Sequence, residues 1–153
     1  MNRVVVLDSG PLGLITNPKR PPESVAALQW AVQLIQARCR IIVPAIADYE
    51  IRRELERSGK TNGLIELDAW NSAVPDRYTR LTDEALRLAA RLWAQARNAG
   101  QPTADPKELD GDVLIAAQAL DLGMPTSDYI VATTNPGHLS RFMPADLWTD
   151  IHP

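Results

Sequence analysis

The chain has 153 residues, a single cysteine, and 19 Asp and Glu against 16 Lys and Arg, for a net charge of −3. That length buries a full core as one domain, residues 1–153, and one thiol excludes an internal disulfide framework. The acid excess argues against a binder working by generic phosphate neutralisation but leaves room for a nuclease whose acids hold cations. With no membrane-length apolar run and no signal-type leader, the expected location is the cytoplasm.

Val4-Val5-Val6-Leu7 is an unbroken apolar run, three of its residues β-branched, and reads as a strand buried on both faces of a parallel sheet. Asp8 ends it just before Ser9-Gly10-Pro11. There it either caps a short helix or points into a site at the strand's carboxyl end. Asn17 to Pro22 is a proline-rich loop. From Glu23 to about Arg38, Val25, Leu28, Val32 and Ile35 recur every three or four residues and predict a helix with that stripe on the core. Arg40 to Val43, closed by Pro44, reads as a second strand parallel to the first, completing a βαβ unit. A helix is predicted over 45–58, with Glu50 on the side of Ile46 and with Asp48 and Arg52 on outer positions. A carboxylate beside an apolar stripe is costly unless paired or liganded, so Glu50 is either a partner of Arg53 or a ligand.

Leu64 to Ala73 is again helical, and Tyr78 to Leu81 is a short strand. Thr82 then caps a helix whose stripe, Ala85, Leu88, Ala89, Leu92, Trp93 and Ala96, places Trp93 in the core or an interface. Pro102 to Leu109 reads as a polar loop, with Asp110-Gly111-Asp112 opening a helix that Gly123 stops. Tyr129 to Thr134 is a β-branched strand closed by Asn135-Pro136-Gly137, and Leu147 to Ile151 is a last edge strand.

Strand carboxyl ends and the helix N-termini that follow share one edge of a parallel sheet, so Asp8, Asp110, Asp112 and Asn135 can converge there. Hard divalent cations are the usual means of holding several ionised acids together, and a chain with two histidines and one cysteine is poorly supplied for zinc. Mg²⁺ or Mn²⁺ is therefore expected, with Asp8, Asp112 and Asp110 as ligands. Asp110 remains open between ligand and helix cap. Ser9 is a candidate substrate-binding group, although a turn role is the more ordinary account of a Ser at this position.

Val-Leu-Asp8-Ser-Gly-Pro-Leu, the helical Glu50, Asp112-Val-Leu-Ile-Ala-Ala-Gln-Ala-Leu, and Thr-Thr-Asn135 followed by His138-Leu-Ser-Arg-Phe142 resemble a PIN-domain protein of the VapC-like class, in order and over nearly the whole chain. The resemblance implies a three-layer α/β/α fold with a central mostly parallel sheet. It further implies a metal-dependent endoribonuclease with Asp8, Glu50, Asp112 and Asn135 as catalytic residues, and RNA as substrate. A toxin of that class would pair with a small antitoxin protein, and a homodimer is compatible with it. His138 stands where such toxins commonly carry Asp. The alternative is a PIN-like module that binds RNA or protein without cutting. A haloacid-dehalogenase-like phosphatase wants a second Asp two residues after the first, where this chain has Gly10.

Overall fold

Apolar runs without a polar face are satisfied only inside a sheet covered on both sides, and the computed structural model, which describes residues 3–100 and 106–153, shows that arrangement. Strands β1 (Val4–Leu7), β2 (Arg40–Pro44), β3 (Tyr78–Thr79), β4 (Tyr129–Thr133) and β5 (Ala145–Leu147) pair in parallel in the order β3-β2-β1-β4-β5. The two central strands β1 and β4 are buried at every position. The connections carry helices α1 (Ser9–Ile15), α2 (Pro22–Gln36), α3 (Ala45–Arg57), α4 (Thr61–Ser72), α5 (Asp83–Asn98), α6 (Pro106–Asp121) and α7 (Pro136–Leu139). Right-handed crossovers place α1 to α4 over one face and α5 to α7 over the other. The packing follows that division, α1 meeting α2 and α3, α3 meeting α4, and α6 meeting α5 and α7, with α3 also reaching α6 between the layers. The fold is three-layer α/β/α, its sheet wholly parallel.

Several elements differ from the sequence reading. The α2 stripe Val25, Val32 and Ile35 is 39–42% exposed, and the buried face is Ser24, Ala27, Trp30, Ala31 and Leu34, one position out of phase. Both faces are apolar, and the small residues decide between them by letting the helix approach closely while Trp30 fills the remaining space. Trp93 is 36% exposed, its ring 5.5 Å from the Arg97 guanidinium, so it is not a core residue; the α5–α6 contact is made by Ala85, Ala89, Leu109, Val113 and Ala117. The segment expected to be loop up to Leu109 is helical from Pro106, and residues 102–105 of that expectation lie outside the described residues. The last strand ends at Leu147, after which Trp148–Asp150 turns as a 3-10 helix.

Two polar contacts fix the helices around the strand ends. Pro44 precedes α3 and makes no side-chain cap, and the buried Gln118 of α6 serves instead, accepting from the Ile46 N–H at 3.0 Å and donating to the Thr79 carbonyl at 3.1 Å. This ties α6 to α3. Asp48, expected on the outside of α3, is buried: it accepts from Arg52 Nε and Nη2 at 2.9 and 3.0 Å and from Asn71 Nδ2 at 2.7 Å, and Arg52 reaches Asp68 at 2.6 Å. The pairing across α3 and α4 is what makes that burial tolerable.

Candidate functional site

The chain leaves β1 toward β2 and β3 on one side and leaves β4 toward β5 on the other, so the order reverses between β1 and β4. Such a switch point opens a crevice at the strand carboxyl ends. A cleft of about 340 Å³ lies there, lined by Asp8, Ser9 and Gly10 from the end of β1, Glu50 and Arg53 from α3, Gly111 and Asp112 from α6, and Thr133 to Asn135 with His138 beyond β4. The sequence-expected Asp8, Ser9, Glu50, Asp112 and Asn135 all line this cleft. Asp110 does not; it is exposed on α6 and lines a smaller adjoining cleft with Tyr49, Glu50 and Arg53.

Asp8 is both a cap and a site residue. Its Oδ1 accepts the Ser9 N–H at 2.7 Å at the start of α1, and its Oδ2 accepts the Thr133 hydroxyl at 2.7 Å. Thr133 in turn accepts the Asn135 N–H at 3.1 Å, so one buried hydroxyl joins the ends of β1 and β4. Gly10 permits this closeness: a Cβ there would fall 2.6 Å from Thr134 Cγ2 and Oγ1. On α6, a Cβ at Gly111 would lie 3.5 Å from Glu50 Oε1, which places the Glu50 carboxylate against the residue before Asp112. Asn135 Oδ1 accepts from the Gly137 N–H at 3.4 Å and opens α7.

No family model matches the sequence, and no curated protein does. Among solved structures the chain is similar to VapBC2 from Rickettsia felis bound to a DNA fragment from their promoter, with TM-score 0.69 and 17% identity over 95% of this chain and 98% of that chain. It is similar to FitAcB from Neisseria gonorrhoeae, with TM-score 0.65 and 20% identity over 96% and 99% of the two chains. For VapBC-1 from nontypeable Haemophilus influenzae the TM-score is 0.66 and the identity 15%, over 96% and 99%. The chain has a VapC-like PIN fold. At these identities the likeness is one of fold.

Within the PIN fold, the acids perturb one another. Burial pushes the Asp8 carboxyl above its ordinary range, against the hydrogen bonds from Thr133 and Ser9. Burial first, and then the facing charge of Asp8, push Glu50 up to about 7, with Arg53 pulling it back and Asp112 raising it further. Both folded values lie above the unfolded ones, so unfolding releases protons and stability falls as pH rises from about 4.5 to about 7. In a chelating buffer the melting temperature of the wild type should therefore drop across that window, and Glu50→Gln should flatten the drop. A melting temperature that climbs over the same interval would contradict this account of the cleft.

The donor set suits a hard cation, being carboxylates and hydroxyl or amide oxygens with no thiolate. Among the described residues no group of three or more His, Cys, Asp or Glu side chains is arranged so that it could hold a metal ion. Mg²⁺ is commonly held by one or two carboxylates with its remaining positions filled by water and substrate phosphate, a mode that needs no larger cluster.

Arg53, Thr133, Thr134 and Gly10 were not singled out from sequence as parts of the site. Thr133 and Thr134 sit inside the Thr-Thr-Asn135 segment that carried the resemblance, which was the available signal. Arg53, weighed as an ion-pair partner of Glu50, makes no ion pair with it within 4 Å and stacks 5.4 Å over the Tyr49 ring. The cap reading of Asp110 is corrected by the start of α6 at Pro106, which puts Asp110 past the first turn. Asp110→Ala is accordingly expected to change stability by no more than about 0.5 kcal/mol in denaturant melts, since Ala is the better helix former at an exposed position.

The larger concavity, about 750 Å³, lies elsewhere, between α1 and the α3–α4 turn. Its one carboxylate among the described residues, Glu54, is paired with Arg57 at 3.0 Å, so the converging acids are found at the switch point and not here.

Proposed function

We propose that the protein is a Mg²⁺- or Mn²⁺-dependent endoribonuclease that hydrolyses RNA phosphodiester bonds, acting as the toxin of a pair with a small antitoxin protein. The observation that carries the reading is the meeting of Asp8, Glu50 and Asp112, from three distant segments, in one cleft where Glu50 is pushed up to about 7. Repulsion of this kind is expensive even with Arg53 offsetting part of it at Glu50, and a site that binds a cation recovers the cost.

Asp8 and Asp112 are the residues assigned to hold the ion. When bound, the ion would lower the pKa of a water and offset charge on the scissile phosphate. Glu50, with its raised pKa, is placed to hold or pass a proton near neutral pH. Arg53 and His138, which line the same cleft, offer cationic or hydrogen-bonding groups to phosphate oxygens, and Ser9 and Asn135 offer polar contacts beside Asp8. The antitoxin reading draws on the solved VapBC and FitAB structures. No helix among the described residues is long and apolar enough to cross a membrane.

The test is cleavage of a mixed single-stranded RNA pool with Mn²⁺ and with chelator. Internal cleavage that the chelator stops is the expected result, and intact RNA under both conditions would overturn the reading. His138, in place of the Asp common in such toxins, favours a second reading, a PIN module that binds RNA or protein without turnover. RNA bound but uncut in Mn²⁺ would support that one.

A further inference from the structure

We infer that Tyr49 and Arg53 of α3 form a stacking subsite that holds one base of a single-stranded RNA beside the acid cleft. The inference rests on the reading of that cleft as an RNA site.

Tyr49 is 56% exposed, the most exposed aromatic side chain among the described residues that border a cleft. Residues 49 and 53 stand one turn apart on the same helix face, and the Arg53 guanidinium carbon lies 5.4 Å from the Tyr49 ring centroid. Together they present an aromatic ring and a planar cation in one patch. The patch borders a cleft of about 250 Å³ whose remaining lining includes Ile46, Leu114 and, at its polar rim, Asp110. This volume is below that of a complete ligand pocket and suits a subsite. Glu50, Arg53 and Gly111 line both this cleft and the acid cleft, so the two are contiguous and a strand lying across the acid cleft runs on beside the patch that carries Tyr49.

The chemistry matches single-stranded nucleic acid. Bases unstacked from a strand are held on aromatic rings and Arg planes, and the contact tolerates any base because each has a π face. Charge supplies the complementary argument. A chain with a net charge of −3 gains little RNA affinity from general phosphate neutralisation. Stacking is the source of affinity that does not depend on it, and Arg53 adds donors for the phosphate at the junction of the two clefts.

The test uses single-stranded RNA oligonucleotides carrying 2-aminopurine at successive positions, bound to the full chain with Ca²⁺ in place of Mn²⁺. Stacking quenches this fluorophore. The wild type and Tyr49→Phe should quench one position strongly; Tyr49→Ala should lose that quench and bind about 5- to 150-fold more weakly, the range expected for one stacked base. No quench at any position, or the same quench in Tyr49→Ala as in the wild type, overturns the subsite. Wild-type RNA binding by a Tyr49→Ala variant that has lost a protein contact overturns it also, and assigns the patch to protein. Tyr49-dependent quenching with no cleavage in Mn²⁺ supports the subsite while removing the ribonuclease reading. Cleavage in Mn²⁺ with no Tyr49-dependent quench does the reverse.

Discussion

Replacing Asp8 and Asp112 together by Asn is expected to abolish Mn²⁺ binding and RNA cleavage without unfolding the chain. Changing groups that only support metal ligands costs about 10- to 100-fold in affinity or activity, so losing two charged ligands should exceed that range. The fold should survive because Asn at position 8 still offers an oxygen to the Ser9 N–H, and its NH2 can donate to the Thr133 hydroxyl, which donates to Asp8 now. Removing two charges that raise the Glu50 pKa should also return Glu50 toward its ordinary value. Calorimetric titration with Mn²⁺ and a cleavage assay provide the measurements, with melting as the control. Wild-type Mn²⁺ affinity in the double variant would end the metal assignment.

Trp30→Ala should cost about 3–5 kcal/mol in stability, the usual range for truncating a buried aromatic side chain. Trp30 is 7% exposed, meets Trp148 edge to face at 5.5 Å, and donates its Nε1–H to the Ile151 carbonyl at 2.8 Å. The substitution thus removes ring packing and leaves a buried carbonyl without its donor. Trp30→Phe separates the two losses: it keeps a ring and should cost less, the hydrogen bond accounting for about 1 kcal/mol. Denaturant unfolding of both variants measures the difference. A Trp30→Ala cost near that of a surface substitution would mean that the out-of-phase stripe, Val25, Val32 and Ile35, is the buried one after all.

The strands were legible because β-branched runs buried on both faces have few other uses, and Asp8 and Asn135 followed from where those runs stop. The phase of α2 was not legible. Its two apolar stripes differ by one position, and nothing in the periodicity tells Ala27 and Ala31, which permit close approach, from Val25 and Val32, which fill more volume. Asp48 was misplaced for a related reason: a helical wheel puts it outside, and only the arrival of Asn71 from α4, with Arg52 beside it, makes its burial tolerable. Glu50 was legible as an acid in the wrong surroundings, whereas the Thr133 hydroxyl was not, since its role depends on a neighbour 125 positions away. For Asp110 the ambiguity lay in the helix start, which polar and proline-bearing sequence obscures.

The position of β1 between β2 and β4 has a consequence for how the protein comes into being. The strand that carries Asp8 is made first, yet one of its two sheet neighbours is β4, which begins at Tyr129. At the usual 5–20 residues per second, the ribosome adds the residues between them in roughly 6 to 25 seconds, and β1 must wait that long for half of its pairing. Asp112 is translated within that interval and Thr133 just after it, at the end of β4, so the acid cleft cannot close on a growing chain until β4 has been made. A nascent chain therefore carries its acids on separate, unjoined segments until that interval has passed.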